Sequence, residues 1–154
     1  MRLLTLAFIV GLIVFGSGPA SARPACENVE ALEQWSDNKA DAGTDLLDGH
    51  QFSGAFRLLR DAADALYECG PAIVEAHVQS GVDAGNTDED GLRKTWLDDN
   101  YSLAANDYDK AAQAAAALHR KTDCQEMIVR ERSAYAKTDS RKSYGFSKDV
   151  AKCK

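Results

Sequence analysis

Oxygen-bearing side chains crowd one short stretch of this chain: Asn86, Asp88 and Asp90 precede Gly91, and Asp98 follows. Alternating acids before a sharp glycine turn can supply three or four of the six to eight oxygens that calcium requires. The position that would hold a bidentate glutamate is Leu97, however, and Arg93 and Lys94 put positive charge within the loop. A solvated acidic turn is therefore the stronger reading, with calcium as the alternative. His50, His77 and His119 are too scattered to form a ligand set, and the adjacent Asp98 and Asp99 point in different directions on a helix. The chain contains no His-Glu-x-x-His, Gly-x-Ser-x-Gly, phosphate loop or dinucleotide fingerprint. The expectation is a non-enzymatic protein that needs no cofactor.

A second chemistry is carried by the C-terminal cations. Arg130, Arg132, Lys137, Arg141, Lys142, Lys148, Lys152 and Lys154 are interleaved with Tyr135, Tyr144 and Phe146. Such a mixture can bind phosphate-rich polymers or an anionic surface. Arg130, Arg132, Arg141 and Lys142, with Trp96 as a groove-lining aromatic, are the candidate binding residues, although tryptophans on apolar stripes are more often core. From Arg23 to Leu118 nineteen acids face seven Lys or Arg; from His119 to Lys154 ten Lys or Arg face five acids. That asymmetry fits either a basic tail for an anionic partner or a C-terminal segment that folds back on an acidic body, and the interspersed acids favour the second. The net acidity makes nucleic acid an unexpected partner.

The compartment follows from the first residues. Arg2, the thirteen-residue run Leu3 to Phe15, the breakers Gly16 to Pro19 and the small-residue pattern Ala20-Ser21-Ala22 form an export signal. Thirteen apolar residues are too few to span a bilayer of roughly 30 Å, so no transmembrane anchor is expected after cleavage. Removing residues 1–22 leaves 132 residues, 23–154, enough for one domain. Cys26, Cys69, Cys124 and Cys153 all lie in this part, and an even count in an exported chain reads as two disulfides. The expected location is periplasmic or extracellular.

Helical periodicity dominates. Phe52, Ala55, Phe56, Leu59, Ala62, Ala63 and Leu66 recur at three- and four-residue steps, with Arg57, Arg60, Asp61, Asp64 and Glu68 opposite. Arg57–Asp61 and Arg60–Asp64 have the spacing of ion pairs. Gly70-Pro71 is expected to end this helix. A first helix, with Pro24 in its first turn, carries Val29, Leu32, Trp35 and Ser36 inward and can run to Asp48 past Gly43. Pro71 opens a third, and residues 82–91 form an acidic loop. Leu92 to Ala105, with Leu92, Trp96 and Leu103 on one stripe, makes a fourth. A turn at Asn106-Asp107 precedes a fifth carrying Tyr108, Ala111, Ala115 and Leu118. Thr122-x-x-Gln125 has the capping-box pattern of a sixth, and 137–154 is a basic tail. Asn100-Tyr101-Ser102 is a glycosylation sequon, although it falls within a helix.

The segments Phe52 to Cys69 and Tyr108 to Cys124 echo each other as helices opened by an aromatic and closed by a cysteine. Each unit resembles a tetratricopeptide-type hairpin: Gly43, Leu46, Phe52, Ala55, Leu59 and Ala62 match the small and aromatic packing positions of the first, and Tyr108 and Ala111 those of the second. The aromatics are 56 residues apart and the closing proline is missing, so helical hairpins are better supported than a continuous solenoid. The resemblance implies binding of a peptide or protein on a helical face. In an antiparallel hairpin the start of one helix lies beside the end of the next, so Cys26–Cys69 and Cys124–Cys153 are preferred among the three pairings. The expected fold is all-α, about six helices in two disulfide-pinned antiparallel hairpins, tetratricopeptide-like or an irregular bundle. The expected function is protein or peptide binding outside the cytoplasm. The rivals are an inhibitor or effector of another exported protein, and a calcium- or small-ligand-binding protein.

Overall fold

The computed structural model describes residues 22–138 and Cys153; the leader up to residue 21, the tail from 139 to 152 (with Arg141 and Lys142) and residue 154 lie outside the described residues. Among the described residues there are four helices and no strand: α1 (Val29–Asp48), α2 (Phe52–Asp83), α3 (Glu89–Ala117) and α4 (Lys121–Tyr135). The fold is all-α with two disulfides, but it has four long helices where six shorter ones were expected. None of the described helices is long and apolar enough to cross a membrane.

The two merged helices show where tertiary packing overrides local signals. Pro71 lies inside α2. It removes the amide that would bond the Tyr67 carbonyl one turn back, and Asn100 Nδ2 of α3 donates to the neighbouring Leu66 carbonyl at 3.1 Å. The helix bends rather than stops. Ser36 Oγ donates to the Ala62 carbonyl at 3.2 Å, so in a straight pair Glu33 would lie abreast of residue 65. His77 would then be roughly 18 Å farther along at 1.5 Å per residue. Yet His77 Nε2 meets Glu33 Oε1 at 2.7 Å. The second half of α2 must therefore lean toward α1, and Gly70-Pro71 is the step that permits it. In α3 the expected turn at Asn106-Asp107 is helical, because Asp107, Tyr108 and the alanines around them are buried against neighbouring helices. The loop assigned to 82–91 shrinks accordingly, since α2 runs to Asp83 and α3 begins at Glu89.

Packing follows chain order. The largest interface is α2 with α3, then α1 with α2 and α3 with α4. The stripe read from Phe52 to Leu66 is the centre of the core, with Ala55, Leu59, Ala62 and Ala63 fully buried. Small residues set the helix spacing. A methyl group on Gly43 would lie 2.7 Å from Leu59 Cγ, and one on Gly70 would lie 2.5 Å from the Tyr101 hydroxyl. From α3 and its neighbours Ala104, Ala105, Ala111, Ala112, Ala114 and Ala115 complete the core. Leu103, placed on the apolar stripe by periodicity, faces solvent at 54 % exposure.

Helix boundaries also depart from the expected signals. Pro24 precedes α1, whose N-cap is Asn28; its side chain accepts from the Ala31 amide. The capping box at Thr122 is not used, because α4 starts at Lys121 after Arg120, which makes no side-chain cap. At their C-termini the first three helices share one device. The amides of Gln51, Asn86 and Arg120 bond the carbonyls of Leu46, Gly81 and Ala115 across a residue of positive φ, namely His50, Gly85 and His119. Glycine is the usual occupant, and a residue bearing a Cβ is strained there. Substituting His119→Gly, at an exposed site with φ 56°, is expected to raise stability by about 0.5–1 kcal/mol, read as a higher urea midpoint with unchanged slope.

Both disulfides pair as preferred: Cys26–Cys69 and Cys124–Cys153, with Cα separations of 5.2 and 5.7 Å. Cys69 is in the middle of α2 rather than at its end. The pairing still forms because α1 spans only the first half of α2, so the chain entering α1 is level with Cys69.

Candidate functional site

Along α1 the acids Glu33, Asp37, Asp41 and Asp45 repeat every four residues, which stacks like charges on one helical face. Asp37, Asp41 and Asp45 are exposed. Each such pair disfavours the helix by a few tenths of a kcal/mol. Behind this ladder, α3 presents Asp107, only 5 % exposed. Its register is set by Lys110, one turn later, whose Nζ donates to Thr44 Oγ1 of α1 at 3.0 Å. Burial, and then the charges of Asp37 and Asp41, raise the Asp107 carboxyl to about 6, against the pull of Lys110. Asp37 is raised as well, by its own partial burial and by Glu33 and Asp41. A carboxylate buried beside like charges opposes folding at neutral pH. The seam between α1 and α3 is therefore a place where negative charge is held at the expense of stability.

A second polar cluster does the opposite work. Tyr108, fully buried, donates its hydroxyl to Asp64 Oδ1 at 2.6 Å, and Arg130 Nη1 donates to the same oxygen at 2.7 Å. Arg130 also pairs with Glu126 at 2.9 Å. Burial, followed by the bond to Asp64, holds the Tyr108 hydroxyl well above its ordinary range, so it stays a donor. This knot joins α2, α3 and α4. Arg130, a binding candidate, ties α4 to α2 through Asp64, which pairs with it rather than with Arg60; Arg60 instead lies 3.6 Å from Asp61. The fold-back reading of the charge asymmetry has a concrete instance in this pair.

Trp96 is half-buried, and its ring stacks on His77 at 3.8 Å between centroids, with His77 held by Glu33. It serves the contact between α2 and α3. Arg132 lies in the last turn of α4 and also has interactions of its own. Lys137 directs its ammonium at the rings of Tyr67 and Tyr101, 4.2 and 4.7 Å from their centroids, which fastens the chain just past α4. Arg141 and Lys142 are outside the described residues.

The four calcium candidates do not form one ligand set: Asp90 and Asp98 line the same cleft, but Arg93, Lys94 and Lys137 share its walls. Asp88 caps α3 by accepting from the Gly91 amide, and Asn86 accepts from the Asp88 amide. Asp90 and Asp98 are eight residues apart on one helix, roughly 12 Å along its axis. Among the described residues no group of three or more His, Cys, Asp or Glu side chains is positioned to hold a metal ion. The sequon asparagine, Asn100, is 4 % exposed and bonded to Leu66, which leaves its amide inaccessible for glycan transfer.

Sequence reasoning missed the acidic seam. The four-residue acid ladder of α1 was a usable signal. Asp107 was hidden because it was assigned to a turn, where a carboxylate is ordinarily solvated. Comparison with known proteins offers no shortcut: no family model, no curated protein and no solved structure matches this chain.

Proposed function

We propose that this is an exported, non-enzymatic helical protein that binds a basic segment of a partner protein or peptide along the seam between α1 and α3. The observation that carries the reading is Asp107, buried behind the exposed ladder of Asp37, Asp41 and Asp45. Acids that lower stability without serving the core are the pattern of a binding surface, where a partner's cations supply the missing compensation. The leader-like start of the chain and its disulfides support the extracytoplasmic setting. On this reading the resemblance to tetratricopeptide hairpins is one of use: a helical face offered to a peptide.

The pH dependence has a definite sign. Asp107 titrates near 6 in the fold against an ordinary value of 3.8, so between these values the folded state holds more protons than the unfolded chain. This group's contribution to stability is therefore most favourable below about pH 4 and declines as pH rises through 6. Partner binding should run the other way, strengthening as Asp107 ionises. Asp107→Asn is expected to stabilise the free protein at pH 7.5 by about 1–2 kcal/mol. It is also expected to weaken binding of an oligolysine peptide roughly tenfold by calorimetric titration. Asp90→Asn, an equal change in net charge elsewhere, is the control. Equal weakening by both variants, or no binding by the parent protein, would dispose of the seam as the site.

A further inference from the structure

Resting on the seam reading above, we infer that the bound segment is a basic amphipathic helix with cations on either side of one apolar residue, which packs on Leu103. The register of the seam is fixed by one contact: Lys110 Nζ of α3 donates to Thr44 Oγ1 of α1 at 3.0 Å. Both α1 and α3 run antiparallel to α2, so they run parallel to each other. The two helices rise alike, at about 1.5 Å per residue. Three residues before the contact Asp107 therefore comes level with Asp41, and seven residues before it Leu103 comes level with Asp37. Leu103, Asp107 and Lys110 follow at four- and three-residue steps and share a face of α3; Asp37, Asp41 and Thr44 do the same on α1.

The chemistry of these two faces is lopsided. Leu103 is 54 % exposed, with Asp99 one turn before it and Asp107 one turn after. Among the described residues no ion pair or hydrogen bond engages the side chains of Asp37, Asp41, Asp99 or Asp107. Lys110, the cation these faces carry, is engaged with Thr44. Asp107 is only 5 % exposed on the face turned to α1, so its carboxyl is withdrawn from water without a partner. Acid, leucine and acid at four-residue steps, roughly 6 Å apart along the axis, call for a cation, an apolar side chain and a cation at the same steps. The acids also stand in two rows, one on α1 and one on α3. A helix presents two staggered rows from one face, through residues three and four apart, whereas an extended chain presents a single row. Charge steers the approach, and the apolar contact at Leu103 fixes the register.

The test titrates the disulfide-bonded protein calorimetrically with three peptides of equal charge. The first is an alanine-based helix carrying Lys-x-x-x-Leu-x-x-x-Lys, with its remaining lysines on the same face. The second has the same composition with the leucine moved to the opposite face, and the third is oligolysine. The first should bind roughly tenfold more tightly than the second. Leu103→Ser changes an exposed side chain and leaves the core intact; it should abolish that difference while oligolysine binds as before. Equal binding of the two helical peptides, a difference that survives Leu103→Ser, or a variant that weakens all three peptides alike overturns the amphipathic pairing, and oligolysine binding then still upholds the seam. Failure of oligolysine to bind the parent protein removes the seam itself, and this inference with it.

Discussion

Replacing Cys26 and Cys69 together by serine is expected to lower the unfolding free energy by about 3–4 kcal/mol, among the largest effects available from a disulfide of this loop size. The bridge closes a loop of 43 residues that contains all of α1 and the turn into α2. Without it the unfolded chain gains the entropy of that loop, while the native state loses the clamp holding the entry to α1 against α2. α1 has little to replace it. Leu32, Ser36 and Gly43 are its buried residues, and its outer face carries the repelling acid ladder. The variant should therefore lose α1 before the rest. Hydrogen exchange should show α1 amides unprotected while α2 and α3 remain slow, and reduction of the parent protein should reproduce the pattern. Uniform loss of protection across all helices would show instead that α1 is integral to a single cooperative core.

Tyr108→Ala is expected to cost about 3–5 kcal/mol, the usual range for deleting a large buried aromatic. The ring is fully buried, meets Tyr67 edge-on at 6.3 Å between centroids, and fills the junction of α2, α3 and α4. Its hydroxyl is a separate matter. Tyr108→Phe keeps the ring and removes one donor to Asp64, which still has Arg130 at 2.7 Å. A hydrogen bond to a charged group is worth about 1.5–3 kcal/mol, and the remaining partner places this loss at the lower end. Comparing the two variants by urea unfolding separates packing from polar tethering. If Phe proves as damaging as Ala, the hydroxyl rather than the ring is what holds the three helices together.

The helical class, the core face of α2, the close approach at Gly43 and both cysteine pairings were legible from residue types and spacing. Each depends on a local rule: apolar side chains at three- and four-residue steps, a glycine where two helices cross, chain ends that meet in a hairpin. The binding candidates fared differently. Arg130 and Trp96 were named as binding candidates; both make contacts between helices, with Asp64 in one case and His77 in the other. Nothing in the spacing of Arg130 indicates that a carboxylate 66 residues away will stand opposite it.

What residue order decided here is the material: four helices' worth of amphipathic chain, two sulfur bridges and an uneven distribution of charge. Where those helices begin and end was decided by partners distant in sequence. Pro71 and Asn106-Asp107 are breaking signals in isolation, yet both sit inside helices, the second held by burial against neighbouring helices. The same packing turned Asp107 from a solvated turn residue into a buried acid. A carboxyl's ionisation depends on the solvent and charges around it, and only the assembled helices supply that environment.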